Sequence, residues 1–259
     1  MQDNQSYTVD DILFKARKEE NVIVLNIKNN LLQKATDLSA KELLFEYLRR
    51  VSDDDGIKVI LIIGAHDKTG REEYLRFYRN ILTTKINPEN LERLYNAVNQ
   101  FIKRIVCIDK MVVHADSGKV ISLFMNISLA CDYRIIGDNT VFQNAYHEIG
   151  LMPKGGGAFF LSKISGSGKA AEIMLRDDDI SAEEALAYGI VNRIVPSDDL
   201  EKEAIKTARK LSRIQLQTLS GIKKLLNYSI DELDKCLELE NHELRKIIRS
   251  SGFRKILER

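Results

Sequence analysis

The run Val59-Ile60-Leu61-Ile62-Ile63 carries no polar side chain on either face. A strand that is continuously apolar rather than alternating must be covered on both sides, as central strands of parallel sheets are. Upstream, Val22 to Ile27 reads as a second strand turned at Asn29-Asn30, with an edge strand expected near Ile12-Leu13-Phe14. Between the two strong strands, Ser39 to Glu42 has the spacing of a capping box. It opens an amphipathic helix along Leu43, Leu44, Tyr47, Leu48 and Val51 that ends at 53–56. Strand, helix, strand predicts a βαβ unit, hence a partly parallel sheet with right-handed crossovers. At 259 residues the chain is long enough to bury a sizeable core in one large domain, with or without an appendage.

Charge and composition exclude several classes of partner. A net charge of +1 argues against nucleic acid or an anionic membrane surface, which need a basic excess on one face. No apolar run approaches the length of a membrane span. The opening MQDNQSYTVDD has neither a basic region nor an apolar core, so it is not read as a signal peptide. Cys107, Cys131 and Cys236 are odd in number, show no metal-ligand spacing and lie in apolar periodic segments. They are expected to be buried thiols in a reducing cytoplasm, and no metal site is expected.

Function is most legible in residues 110–161, KMVVHADSGKVISLFMNISLACDYRIIGDNTVFQNAYHEIGLMPKGGGAFFL. Met111 to Ala115 predicts a buried strand, Gly118 breaks it, and Ser122 is placed to cap a helix running to about Ala130. Tyr133 to Ile136 predicts the next strand, turned at 137–139. Gly150, Pro153 and Gly155-Gly156-Gly157 lead into a further helix. Such a unit aims backbone N–H groups at one spot beside the sheet. Before it, the loop 64–71 precedes a charged helix from Glu72 to Leu82, and Asn87-Pro88-Glu89 opens another along Leu91, Leu94, Val98, Phe101 and Ile102. After it, Ser181 to Glu184 is a second capping box, Gly189 closes that helix, and Ile190 to Val195 predicts a strand. Helices finish the chain, one with Ala204, Ala208 and Leu211 inward. The last is capped at Ser229 and carries Leu233, Leu237, Leu244 and Ile248 on one face.

The residues LACDYRI, GLMP, GGG and FFLSKISG, with AAEIMLRDDDISAEEALAYGIVNRIVP downstream, resemble the crotonase (enoyl-CoA hydratase/isomerase) superfamily in order and spacing. The resemblance spans roughly residues 20–225. It implies an α/β fold, a crotonase-like β-β-α spiral core over 1–196, with a helical oligomerisation region over 197–259 packing in a trimer or hexamer. It also implies an acyl-thioester substrate, on coenzyme A or a carrier-protein pantetheine, with no cofactor beyond that carrier. Two backbone N–H groups would stabilise an enolate or related anion.

One donor is expected in the loop after Ile63, at Thr69 or Gly70. The other falls on Leu123, where the family has glycines and this chain has Ser122-Leu123-Phe124. Hydratases of the family use two glutamates; here Asn126 and Tyr146 stand at those positions. Neither replaces a carboxylate base, so simple hydration is disfavoured, and decarboxylase- or isomerase-like chemistry remains open. A second reading is a catalytically silent acyl-thioester-binding or assembly subunit.

Each candidate has a plainer role beside the catalytic one. Tyr146 is either a structural tyrosine or an acid or hydrogen-bond donor, and Asn126 either bridges backbone groups or touches ligand. His114 on its strand is either a satisfied core histidine or a catalytic one. Asp116 either faces a pocket or caps the turn at Gly118. His147 and Glu148 either supply an acid/base pair or, on either side of a strand end, point apart, and His66 and Asp67 are expected to be exposed turn residues. Gly166-Ser167-Gly168-Lys169 lacks the upstream glycine and the Ser/Thr of a phosphate loop.

Overall fold

The computed structural model describes residues 7–34, 38–66, 68–83, 88–250 and 253. The chain opens with three strands, β1 (Val9–Asp10), β2 (Phe14–Glu19) and β3 (Val22–Ile27), paired antiparallel in that order. Helices α1 (Leu31–Lys34) and α2 (Leu38–Ser52) lead to β4 (Val59–Ile63), which lies parallel to β3 as the βαβ pattern requires. Helices α3 (Arg71–Thr83) and α4 (Pro88–Cys107) then deliver β5 (Met111–Asp116), parallel to β4.

From there the chain winds between two sheets. Strand β6 (Lys119–Ile121) and helix α5 (Ser122–Ser128) follow β5. Next come β7 (Tyr133–Gly137), β8 (Val141–Gln143), α6 (Gly157–Ser165) and α7 (Ser167–Leu175), then β9 (Ile180–Ser181), α8 (Ala182–Ala187) and β10 (Arg193–Val195). The large sheet has the order β1-β2-β3-β4-β5-β7-β10 and the small one β6-β8-β9. Helices α9 (Leu200–Ser212), α10 (Leu216–Leu226) and α11 (Ile230–Arg249) complete the described chain. This is the mixed α/β spiral expected from the sequence.

Two cores follow from the two faces of the large sheet. Val22, Val24, Val59, Leu61, Val113 and Ala115 pack with Ala204 and Ala208 of α9, whose small residues let the helix lie close. So α9, although part of the helical region, covers one face of the sheet. The other face, with Ile23, Leu25, Ile60, Ile62 and Val112, joins the larger core beneath α2, α4 and α5. The residues 59–63 are all buried, as the doubly covered strand required.

Several local expectations need correction. The edge strand is β1, because β2 is paired on both sides. Strands β6, β8 and β9 are two or three residues long, too short for any periodicity to register. The strand expected from Ile190 is shortened to Arg193–Val195; just before it, Asn192 meets Arg134 both ways, its N–H donating to Arg134 O at 2.9 Å and its Oδ1 accepting the Arg134 N–H at 2.8 Å. Ser122 does not cap α5: Ile121 holds the N-cap position and no side chain bonds there. Ser229 holds the N-cap position of α11 without a cap bond, its hydroxyl meeting Lys163 instead. The capping box at Ser181 is present, with the Glu184 N–H donating to Ser181 Oγ at 3.2 Å and the Ser181 N–H to Glu184 Oε2 at 3.0 Å. Asn87 and the Ser39 side chain lie outside what is described, although α4 does begin at Pro88.

Of the three cysteines only Cys131 is buried; Cys107, at the outward end of α4, is exposed and Cys236 is half-buried. The stripe expected at a subunit interface is also corrected. Leu233, Leu237 and Leu244 are each 1% exposed within the single chain, covered where α11 meets α4 and α6. That stripe therefore carries no argument about assembly.

The contact that ties α11 down is ionic. Glu240 accepts the Gly155 and Gly156 N–H groups at 3.0 and 2.9 Å and pairs with Lys154 at 3.0 Å, all buried. A carboxylate there complements the N-terminus of α6 and neutralises a buried ammonium. Glu240→Ala leaves Lys154 charged and unpaired, so urea unfolding should show a loss of about 3–5 kcal/mol.

Candidate active site

The parallel register of β4 and β5 sets Ile62 beside His114, and both side chains turn toward the larger core. There they form one wall of a cavity of about 150 Å³. Helix α2 contributes Leu44 and Phe45, α4 contributes Leu94, Val98 and Phe101, and α5 contributes Leu123, Phe124 and Ile127. The loop after β4 supplies Gly64, Ala65 and Lys68. The few polar side chains on this wall include His114, Lys68, Glu73, Lys28 and Lys41. Water gains little in such a space and an apolar group gains much.

Burial pushes the His114 imidazole down to about 4, with Lys68 and Arg134 opposing a proton and Asp116 favouring one. The ring is therefore neutral at physiological pH rather than a cation. Beside it Lys68 and Asp116 form a buried ion pair. The Asp116 carboxylate also accepts the Ser117 N–H at 2.9 Å. It lies directly over Gly64, where a Cβ would come within 2.3 Å of Oδ1. Only glycine admits that approach, so the residue that follows β4 is dictated by the acid on β5.

The residues singled out in the sequence separate into groups. His114 and Leu123 line the cavity, and Asp116 stands behind it, paired with Lys68. Thr69 is exposed. Gly70, at φ +62°, starts α3 against the Gln143 side chain, which accepts the Arg71 N–H at 2.9 Å. Neither of these two lines the cavity wall. The Tyr146 hydroxyl donates to Met174 O at 2.6 Å, and burial raises its pKa. Asn126 donates Nδ2 to Lys154 O at 2.9 Å and is packed against Gly157 under the start of α6. The structure does not bring Tyr146 or Asn126 to the cavity. His147 meets Met174 O at 2.9 Å, while Glu148 pairs with Arg71, so they do point apart. His66 is exposed, and Asp67 lies outside the described residues.

Lys68 and Glu73 were not singled out by sequence reasoning. The signal for Glu73 was available: it precedes the buried Tyr74 on α3, on the edge of that helix's inward face. Lys68 had none, since only the fold brings it to Asp116. Among the described residues no group of three His, Cys, Asp or Glu is placed to hold a metal ion. No described helix is long and apolar enough to cross a membrane.

A spiral of two sheets with an apolar cavity at the carboxyl end of a central parallel strand defines an α/β protein of the crotonase superfamily. The chain belongs to the enoyl-CoA hydratase/isomerase family, whose profile matches residues 17–259. It is 30% identical over 208 residues to a crotonyl-CoA hydratase of Syntrophomonas wolfei, covering 77% of this chain and 75% of that one. It is 29% identical over 215 residues to a 1,2-epoxyphenylacetyl-CoA isomerase of Escherichia coli, covering 82% and 80%. Its fold superposes on an enoyl-CoA hydratase structure from Bacillus halodurans with a TM-score of 0.81, at 21% identity over 95% of this chain and 98% of the other.

The neutral histidine has a thermodynamic consequence. The unfolded chain takes up a proton at the ordinary 6.5, the folded one only near 4. The stabilising difference is complete above pH 6.5 and is lost as pH falls toward 4, at a cost of roughly 3 kcal/mol. His114→Gln should therefore flatten the loss of stability between pH 6.5 and 4 in urea titrations. An unchanged slope would mean that His114 is not the group responsible.

Proposed function

We propose that the cavity receives the acyl group of a thioester, carried on coenzyme A or pantetheine, and that the chain stabilises the thioester enolate. The chemistry is isomerase- or decarboxylase-like rather than the addition of water. The observation that carries this reading is the cavity itself, apolar and set between the loop after β4 and the first turn of α5. Backbone N–H groups of a helix's first turn have no acceptor within the helix, and donors held rigidly near a developing oxyanion are usually the largest catalytic contribution. His114, neutral and facing the same space, supplies a hydrogen bond without a charge. Hydration by paired carboxylates is set aside because Asn126 and Tyr146 stand at the two family positions and both are committed to backbone carbonyls.

A silent acyl-binding subunit is the second reading, favoured by one observation: Leu123 and Phe124 put side chains where glycines would leave room. The size of the cavity suggests the probe. An apolar space of about 150 Å³ accommodates a benzene-sized group, so a six-carbon acyl chain fits it. Hexanoyl-CoA and hexanoyl-pantetheine should bind by titration calorimetry and raise the Tm with concentration. Absence of binding by both would remove the thioester reading. Crotonyl-CoA hydration should run far below about 10 per second, a typical enzymatic turnover. Hydration at that rate would mean that a water-activating pair exists elsewhere in the cavity.

A further inference from the structure

Lys154 and Lys223 are buried lysines whose ammonium groups are spent on several acceptors. Lys154 meets Asn99 and Glu240, and Lys223 meets Ile105 O, Lys110 O and Asp132. Neither lines the apolar cavity. Lys68 differs on both counts. Its side chain, 7% exposed, lies on the cavity wall, and among the described residues its ammonium bonds only to Asp116, itself 4% exposed. An ammonium carries three donors, and leaving donors unused beside apolar side chains is costly. The ion pair accounts for one of them; the others are left for whatever fills the cavity.

We propose that Lys68 captures carbonyl compounds: it condenses with a small apolar aldehyde or ketone in the cavity to give a protonated imine held against Asp116. This goes beyond the thioester reading and does not depend on it. Asp116, already in contact with Nζ, takes one ammonium proton, and the freed lone pair attacks the carbonyl carbon. The carbonyl π electrons move to oxygen, which takes that proton from Asp116 and leaves a carbinolamine. A second nitrogen proton passes to the same oxygen, with Glu73 on the cavity wall available to relay it. The C–O bond breaks, oxygen departs as water with the electron pair, and the nitrogen lone pair closes the C=N bond. The third proton stays on nitrogen, so the positive charge is conserved and no oxidant or reductant is consumed.

The surroundings fit a cation of this kind. A protonated imine keeps the buried Asp116 carboxylate paired, whereas a buried charge stripped of its partner is strongly destabilising. His114, which lines the same space, is neutral and places no second positive charge beside it. Lysines desolvated in apolar pockets are the ones that serve as imine-forming nucleophiles. The same walls keep out the water that would hydrolyse the product. Leu123 and Phe124 crowd a carrier-bound thioester, but a free carbonyl compound has no carrier to accommodate. About 150 Å³ holds a benzene-sized molecule, hence an aldehyde of six carbons.

The test incubates the full chain with hexanal and cyanoborohydride, which reduces an imine to a stable amine, followed by intact mass measurement and tryptic mapping. Wild type should gain a single hexyl group rapidly. Trypsin does not cut after an alkylated lysine, so residues 59–71 should appear as one peptide. Lys68 should be modified roughly tenfold or more faster than any other lysine, including Lys28 and Lys41 on the same wall. That preference should vanish in urea. Lys68→Arg keeps a charge opposite Asp116 but forms no imine, so it should lose the fast addition. Cinnamaldehyde without reductant should give the red-shifted absorption of a protonated imine. Lys68 labelled no faster than exposed lysines overturns the proposal, as does a fast addition that survives in the arginine variant or the absorption of a neutral imine. The wild-type arms decide the matter even if the arginine variant does not fold. Failure here leaves the thioester reading standing, since hexanoyl-CoA binding is measured separately.

Discussion

The pairing of β4 with β5 is the constraint from which the site follows. Parallel strands in register place residue beside residue, so Ile62 must lie next to His114 and the Gly64 N–H must reach Ala115 O, at 2.8 Å. Alternation along β5 then sends His114 and Asp116 to the face of the larger core while Val113 and Ala115 meet α9. Polar groups on that face need partners. Asp116 finds Lys68 from the adjoining loop, and that ion pair holds the loop over the end of the sheet. The His114 and Lys68 part of the cavity wall thus follows from strand register, while Glu73, Lys28 and Lys41 reach it from other elements.

The small sheet depends on the same winding. The two excursions after β5, to β7 and then to β10, pass through strands of two or three residues, and Gln143 on one of these links three segments. Its carbonyl accepts the Arg71 N–H, and its amide donates to Asp179 at 2.9 Å. Arg71 itself reaches Asp179 at 2.8 Å, so the start of α3 is fixed against the spiral rather than left to the loop before it. The placement of Glu73, half a turn further along, inherits that fixation.

The large elements were legible because their signals are long. The apolar run at 59–63 and the stripes of α2 and α4 can be met only by a doubly covered strand and by helices packed on it. The motifs at Cys131-Asp132 and at Gly155-Gly156-Gly157 carried the family. What the sequence hid is what side chains do once distant segments meet. Tyr146 was expected at a catalytic position, yet its hydroxyl is taken by Met174 O, from a helix end 28 residues away. Leu233 and Leu237 have interface character in isolation, yet α4 and α6 cover them. Lys68 is one lysine among many until the fold sets it against Asp116. Local patterns do not encode such long-range partners, and caps such as Ser122 fail for the same reason.

The bond from Glu240 to the glycine run joins positions separated by 84 and 85 residues. Lys223 does the same for the last turn of α4 and for the residues just before β5 and β7, donating to Ile105 O, Lys110 O and Asp132 at 2.7–3.0 Å. Both clasps come from the end of the chain and close on its middle. During synthesis the sheet and its crossovers can pair as they emerge, but the start of α6 lacks its counter-charge until α11 has left the ribosome. The order of assembly therefore runs against the order of function. The segment whose glycines mark the family is among the last to become rigid, and a nascent chain stopped before residue 240 carries an unneutralised lysine where its interior should be dry.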